Sequence, residues 1–168
     1  SSTRLVLDAD CLNILAKKKH WWKDLPCQSI VTPHPGEMAR LLGSSVKNVQ
    51  DDRLVVARTA AELWGHIVVL KGPCTIVAHP DGRVSICPWI NPGLAKAGSG
   101  DVLAGVIGGL LAQTPSMPME AACLGVYVHG LAGEISRANI GEMGMTAGDL
   151  VRMLPSAYRK IVLETETN

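Results

Sequence analysis

The sequence predicts an α/β fold, a mainly parallel sheet with helices on both faces. Three observations carry this. Short apolar, β-branched runs bounded by turn residues recur at 4–7, 29–31 and 67–70. Longer stretches of helical periodicity separate them, so successive strands need crossover connections and run parallel. Within 75–87, two strand-like runs flank "HPDGR", whose Pro-Asp-Gly core is a turn, giving a hairpin at the end of the sheet.

The elements follow in order. After the first strand, Asp10 is placed to cap a helix starting at Cys11. The 29–31 strand leads into "TPHPGE" and a short helix through Leu42, with Pro35 at its first position. Asn48 and Asp51 are candidate caps for the helix reaching Trp64. Beyond the hairpin, helices over 101–113 and 119 to about 137 are apolar nearly all round, which implies burial on several sides. Part of that burial fits a subunit interface, hence a homo-oligomer, with a homotetramer among the arrangements. Thr146 and Asp149 form a capping-box pattern, and Pro155 is expected to break or restart the last helix.

Sixteen basic against fifteen acidic residues leave a net charge of +1, too small to draw in nucleic acid or an anionic membrane. The one basic cluster, Lys17-Lys18-Lys19-His20-Trp21-Trp22-Lys23, reads as lysines in the last turn of a helix, favoured by its dipole. Five cysteines with no C-x-x-C pair argue against a disulfide framework and a zinc site, and suit the reducing cytoplasm. The longest apolar run, 102–112, falls well short of the roughly 20 residues of a membrane helix. The partner expected is a small molecule.

Four segments could carry chemistry. In "AKAGSGDVLAG", Gly98, Ser99 and Gly100 let the backbone turn tightly and aim N–H groups outward at a helix start, forming an anion hole. Asp101 beside it is either a helix cap or a base for a hydroxyl attacking a bound phosphate. In "TPHPGE", His34 sits at a strand's C-terminal end, where open α/β sheets bind ligands, while Glu37 reads as a helix-start carboxylate. "KGPCT", Lys71 to Thr75, is a plain Gly-Pro turn or a nucleotide-phosphate contact. In "LDAD", Asp8 is an indirect metal contact at most, and His129 reads as a core histidine of an apolar helix. No Walker loop, dinucleotide fingerprint or nucleophile elbow is present.

In order, "LDADCLN", "TPHPGE", "LKGPCT", "NPGLAKAGSGDVLAGVIGGLLAQ" and "HGLAG" resemble the ADP-dependent NAD(P)H-hydrate dehydratase family over nearly the whole chain. The resemblance implies a three-layer, ribokinase-like (Rossmann-like) fold. It also implies a hydro-lyase of metabolite repair, which restores NADH or NADPH from the hydrates NADHX and NADPHX while ADP, or ATP, with Mg2+ becomes the spent nucleotide and phosphate. Carried over by motif, Asp101 contacts the hydrated dinucleotide and is the catalytic base, and His34 binds the same substrate. Lys71, Gly72, Pro73, Cys74, Thr75 and Gly100 then bind the adenine nucleotide, and no residue is assigned to a metal.

Two departures stand out. Where the family often has Thr-Gly-Gly-Thr-Gly-Asp, this chain has Lys96-Ala97-Gly98-Ser99-Gly100-Asp101. The family's domain also begins well before "LDADCLN", so residues 1–168 read as a dehydratase domain lacking N-terminal elements. Two other readings remain: a ribokinase-like small-molecule kinase, and a nucleotide-binding fragment without catalysis.

Overall fold

The structure is a computed structural model and describes residues 4–166; the outermost ends of the expected domain lie outside them. Five strands form one sheet in sequential order: β1 (Val6–Leu7), β2 (Ile30–Val31), β3 (Ile67–Leu70), β4 (Ile76–Ala78) and β5 (Val84–Ile86). β1, β2 and β3 are parallel; β3, β4 and β5 are antiparallel, so the predicted hairpin closes one edge.

Strand residues alternate between two cores, as a two-residue period requires. Val31, Val68, Leu70, Ile76 and Ala78 face one cluster, with Leu12 of α1 (Asp10–Leu15), Met38 and Leu41 of α2 (Pro35–Leu42), Val49 of α3 (Val46–Asp51), and Ala57, Ala61 and Trp64 of α4 (Arg53–Trp64). Ile30, Ile67, Val69 and Val77 face the other, with Leu103, Ile107 and Leu111 of α5 (Ser99–Gln113) and Met119, Ala122 and Val126 of α6 (Pro118–Ile140). The expected three layers therefore form, with strands buried on both faces. On the α6 side, Val128, Leu131 and Ala132 pack against Ala157 of α7 (Ala147–Glu166). No helix among the described residues is long and apolar enough to cross a membrane, and all five cysteines are free thiols.

Several local expectations change. Asp10 is not a cap but the first residue of α1, and it makes no capping bond. In place of one helix capped by Asn48 and Asp51 there are two: Ser45 Oγ accepts from Asn48 N–H to start α3, and Asp52 Oδ1 accepts from Val55 N–H at 3.0 Å to start α4. The lysines at 17–19 lie beyond α1 rather than in its last turn, and Trp21 enters the core at 1% exposure, so that aromatic pair is structural. Buried His66 holds this segment down: Nδ1 accepts from Ser29 N–H, and Nε2 bonds the Trp22 carbonyl.

Pro155 does not interrupt α7. Its ring removes the bond that Val151 O would accept, but both residues are exposed and water can serve that carbonyl. The Thr146–Asp149 capping box forms as expected, with Thr146 N–H donating to Asp149 Oδ2 at 2.9 Å and Asp149 N–H to Thr146 Oγ1 at 3.3 Å.

In chemical denaturation, Asp52→Ala should cost about 1 kcal/mol through loss of the α4 cap, and Asp10→Ala clearly less. Equal losses would contradict this assignment of caps.

Candidate active site

The three parallel strands end side by side, and their ladder continues past them: Thr32 N–H donates to Leu7 O and Lys71 N–H to Pro33 O. This aligns the residues that follow each strand, Asp8 after β1, His34 after β2 and Lys71 after β3. Lys71 Nζ donates to Asp8 Oδ1 at 2.6 Å and lies 3.7 Å from Glu37 Oε2. The three side chains are only 18%, 10% and 6% exposed, so water screens their attraction weakly.

Glu37 is more than a helix-start carboxylate. His34 caps α2 with Nδ1, which accepts from Gly36 N–H (3.0 Å) and Glu37 N–H (3.3 Å), while Glu37 Oε2 accepts from His34 N–H at 2.8 Å. Because Nδ1 is an acceptor, the proton of neutral His34 resides on Nε2, 3.3 Å from Glu37 Oε1. Glu37 thus ties the helix cap to the lysine.

α5 brings the glycine turn onto this group. The helix begins at Ser99, with Gly98 at φ 85° as its N-cap, so Asp101 is its third residue and not its cap. A Cβ on Gly100 would lie 3.2 Å from Lys71 Nζ and 3.5 Å from Asp8 Oδ2, so glycine lets the backbone meet the ion pair. Of the predicted anion-hole groups, Ser99 N–H is taken by Lys96 O at 3.2 Å, whereas Gly98 and Gly100 N–H, and that of Asp101, have no acceptor among the described residues. The Asp101 carboxylate is exposed and makes no hydrogen bond or ion pair among those residues.

Two further contacts steady this turn. His129 Nε2 lies 3.0 Å from Ser99 O and 3.2 Å from its Oγ, tying α6 to the first turn of α5. Burial holds the imidazole down at about 4, so it is neutral near pH 7 and Nε2 carries its proton. Lys96, the departure from the family pattern, spends its ammonium on the carbonyls of Glu142 (3.0 Å), Met143 (2.7 Å) and Met145 (2.9 Å), away from the site.

A cavity of about 490 Å³ opens beside these groups. His34, Lys71, Gly72, Pro73, Thr75, Ser99, Gly100 and His129 line its polar side; Trp89, Ile90, Leu94, Leu103 and Val126 supply an apolar wall. Its volume suits a nucleotide-sized ligand. Among the sequence-predicted site residues, Cys74, Gly98 and Asp101 do not line it. Cys74 turns the loop at φ 50° with its N–H on Trp89 O. The apolar wall escaped the sequence reading, although three large apolar residues in the non-strand stretch "PWINPGL" were a signal for it.

Among the described residues no group of three His, Cys, Asp or Glu side chains is placed to hold a metal ion, and the Asp8 and Glu37 carboxylates already pair with Lys71. The donor set does not fit a resident magnesium ion.

The sequence profile of the NAD(P)H-hydrate dehydratase family matches residues 1–156. The chain is 47% identical over 162 residues to the bifunctional NAD(P)H-hydrate repair enzyme Nnr of Moorella thermoacetica, covering 96% of this chain and 30% of that one. It is 46% identical over 151 residues to the ADP-dependent (S)-NAD(P)H-hydrate dehydratase of Neisseria meningitidis, covering 87% and 50% respectively. The chain thus spans three tenths to a half of these relatives' length. Among solved structures, the ADP/ATP-dependent NAD(P)H-hydrate dehydratase of Bacillus subtilis, co-crystallised with ATP/Mg2+, superposes with a TM-score of 0.84 at 33% identity, covering 95% of this chain and 56% of that one. A ribokinase-like superfamily protein of Enterococcus faecalis gives 0.77 at 25% identity, covering 94% and 53%, in accord with the expected fold. On the match over residues 1–156, this chain belongs to the NAD(P)H-hydrate dehydratase family.

Proposed function

We propose that this chain supplies the catalytic centre of an ADP- or ATP-dependent dehydratase acting on the hydrates of NADH and NADPH. The observation that carries the reading is the convergence of Lys71, Gly72, Thr75 and Gly100 on one cavity, with the unpaired Asp101 carboxylate one residue beyond Gly100. The adenine ring suits the apolar wall of Trp89, Ile90 and Leu94, and the phosphates suit the Lys71 and Gly100 end. His34, half-exposed at the rim, contacts the hydrated nicotinamide.

Asp101 takes the proton of the ring hydroxyl, whose oxygen attacks the terminal phosphoryl group of ADP; the new P–O bond forms as the bridging P–O bond breaks and AMP leaves. Free N–H groups at the start of α5 stabilise charge on the moving phosphoryl group. Magnesium brought in with the nucleotide would supply charge neutralisation at the phosphates. The ring C–O bond then breaks, phosphate departs with the oxygen, and loss of a proton from the adjacent ring carbon restores the double bond. Hydroxide leaves poorly and phosphate well, which is why a dehydration would consume a nucleotide.

The test is recovery of dihydronicotinamide absorbance from hydrated NADH with ADP and magnesium, using this chain and a version extended upstream, with AMP and phosphate assayed. Asp101→Asn should lower the rate by at least about 100-fold while ADP affinity holds. A stable phosphoester product would point instead to a kinase, and full activity in Asp101→Asn would remove the base from this account.

A neutral His129 also sets a pH dependence. Its folded pKa lies below its unfolded one, so acid binds the unfolded chain first and stability falls as pH drops from about 6.5 toward 4. Comparing urea unfolding at neutral and mildly acidic pH, His129→Gln should flatten that loss by an amount on the order of 3 kcal/mol across this window. An unchanged pH profile in the variant would show that His129 is not the group responsible.

A further inference from the structure

Arg53, the first residue of α4, was not singled out by any motif, yet its side chain reaches the loop that follows β3. Its Nη2 donates to Leu70 O at 3.1 Å and Lys71 O at 3.2 Å, and its Nη1 donates to Pro73 O. Gly72 O accepts from Thr75 Oγ1 at 3.1 Å. Four consecutive carbonyls, 70 to 73, are therefore drawn to donors. The N–H groups of Gly72 and Thr75 have no acceptor among the described residues, and both residues line the cavity.

A carbonyl oxygen facing a phosphate repels it, and an N–H attracts it, so which edge of the loop meets the cavity decides whether an anion can bind. Gly72 takes φ 140°, open to glycine, and Cys74 holds φ 50° against the preference of a residue with a side chain. A Cβ on Gly72 would approach Arg53 Nη2 to 2.8 Å, so the guanidinium fills the space behind the loop. Arg53 does not line the cavity, and both of its terminal nitrogens are engaged with carbonyls; it acts through the loop.

We propose that Arg53 is a positioning residue for phosphate: its forked guanidinium gathers the carbonyls of Leu70, Lys71 and Pro73 and leaves the N–H edge of the loop facing the nucleotide. The inference rests on reading this cavity as the nucleotide site. It predicts a defect confined to the phosphate part of the ligand.

The test is calorimetric binding of ADP and of adenosine, which lacks phosphate, to the full chain and to Arg53→Gln and Arg53→Lys. Arg53→Gln should weaken ADP roughly tenfold to a hundredfold, the usual worth of lost bonds to a charged group, and leave adenosine nearly unchanged. Arg53→Lys, which keeps the charge but not the fork, should recover only part of the ADP affinity. Should Arg53→Gln fail to fold, the ratio of ADP to adenosine affinity in Arg53→Lys decides alone. An unchanged ratio in the folded variants, including equal weakening of both ligands, overturns the inference while the nucleotide site stands. A wild-type chain that binds ADP no better than adenosine overturns the phosphate site itself, and the inference with it.

Discussion

The site is organised around one ammonium group held between two carboxylates. Lys71 extends from β3, Asp8 from β1, and Glu37 from the helix that follows β2, so the ion cluster joins all three parallel strands at their C-terminal ends. Removing the lysine would leave two poorly hydrated carboxylates facing each other, a much larger penalty than the loss of a surface pair. Glu37 adds a second tie by closing the α2 cap on His34, so His34 and Lys71 share one carboxylate.

This cluster explains why glycine occupies position 100. The first turn of α5 lies directly on Lys71 and Asp8, and any larger residue at position 100 would crowd the lysine ammonium. The helix start, with its partial positive charge and unpaired N–H groups, thus meets the lysine at one end of the cavity. Two cationic features on one small surface repel each other, and Asp8 and Glu37 offset that repulsion when no anion is bound. His129 braces the same turn from α6 while remaining uncharged, so it adds rigidity without a third positive charge.

Much of this was legible in the sequence because it is local. β3, the 75–87 hairpin, Pro35 at the head of α2 and the Thr146–Asp149 box each depend on residues within a few positions of one another, and each was found. What escaped depends on distance along the chain. Asp8 and Lys71 are 63 residues apart, and His129 and Ser99 are 30 apart; no periodicity connects such pairs. Asp10, Asn48 and Asp51 are plausible caps by type, but the true caps were chosen by where the chain entered each helix. Pro155 shows the reverse: a strong local breaker was overridden because Ala157 packs into the α6 surface and the lost bond falls on an exposed side. Lys96, a departure from the family's motif, is a clamp on the carbonyls of Glu142, Met143 and Met145.

The proposed reaction turns on the substrate hydroxyl becoming a phosphate before it leaves. Hydrated NADH carrying a heavy oxygen isotope in the ring hydroxyl, turned over with ADP by this protein, tests this most directly. Mass analysis of the products should find the label in the released phosphate, with none in water. Label in water, with unlabelled phosphate, would mean that nucleotide hydrolysis and dehydration are separate events, and the proposed role of Asp101 as the base for phosphoryl transfer would no longer explain the reaction.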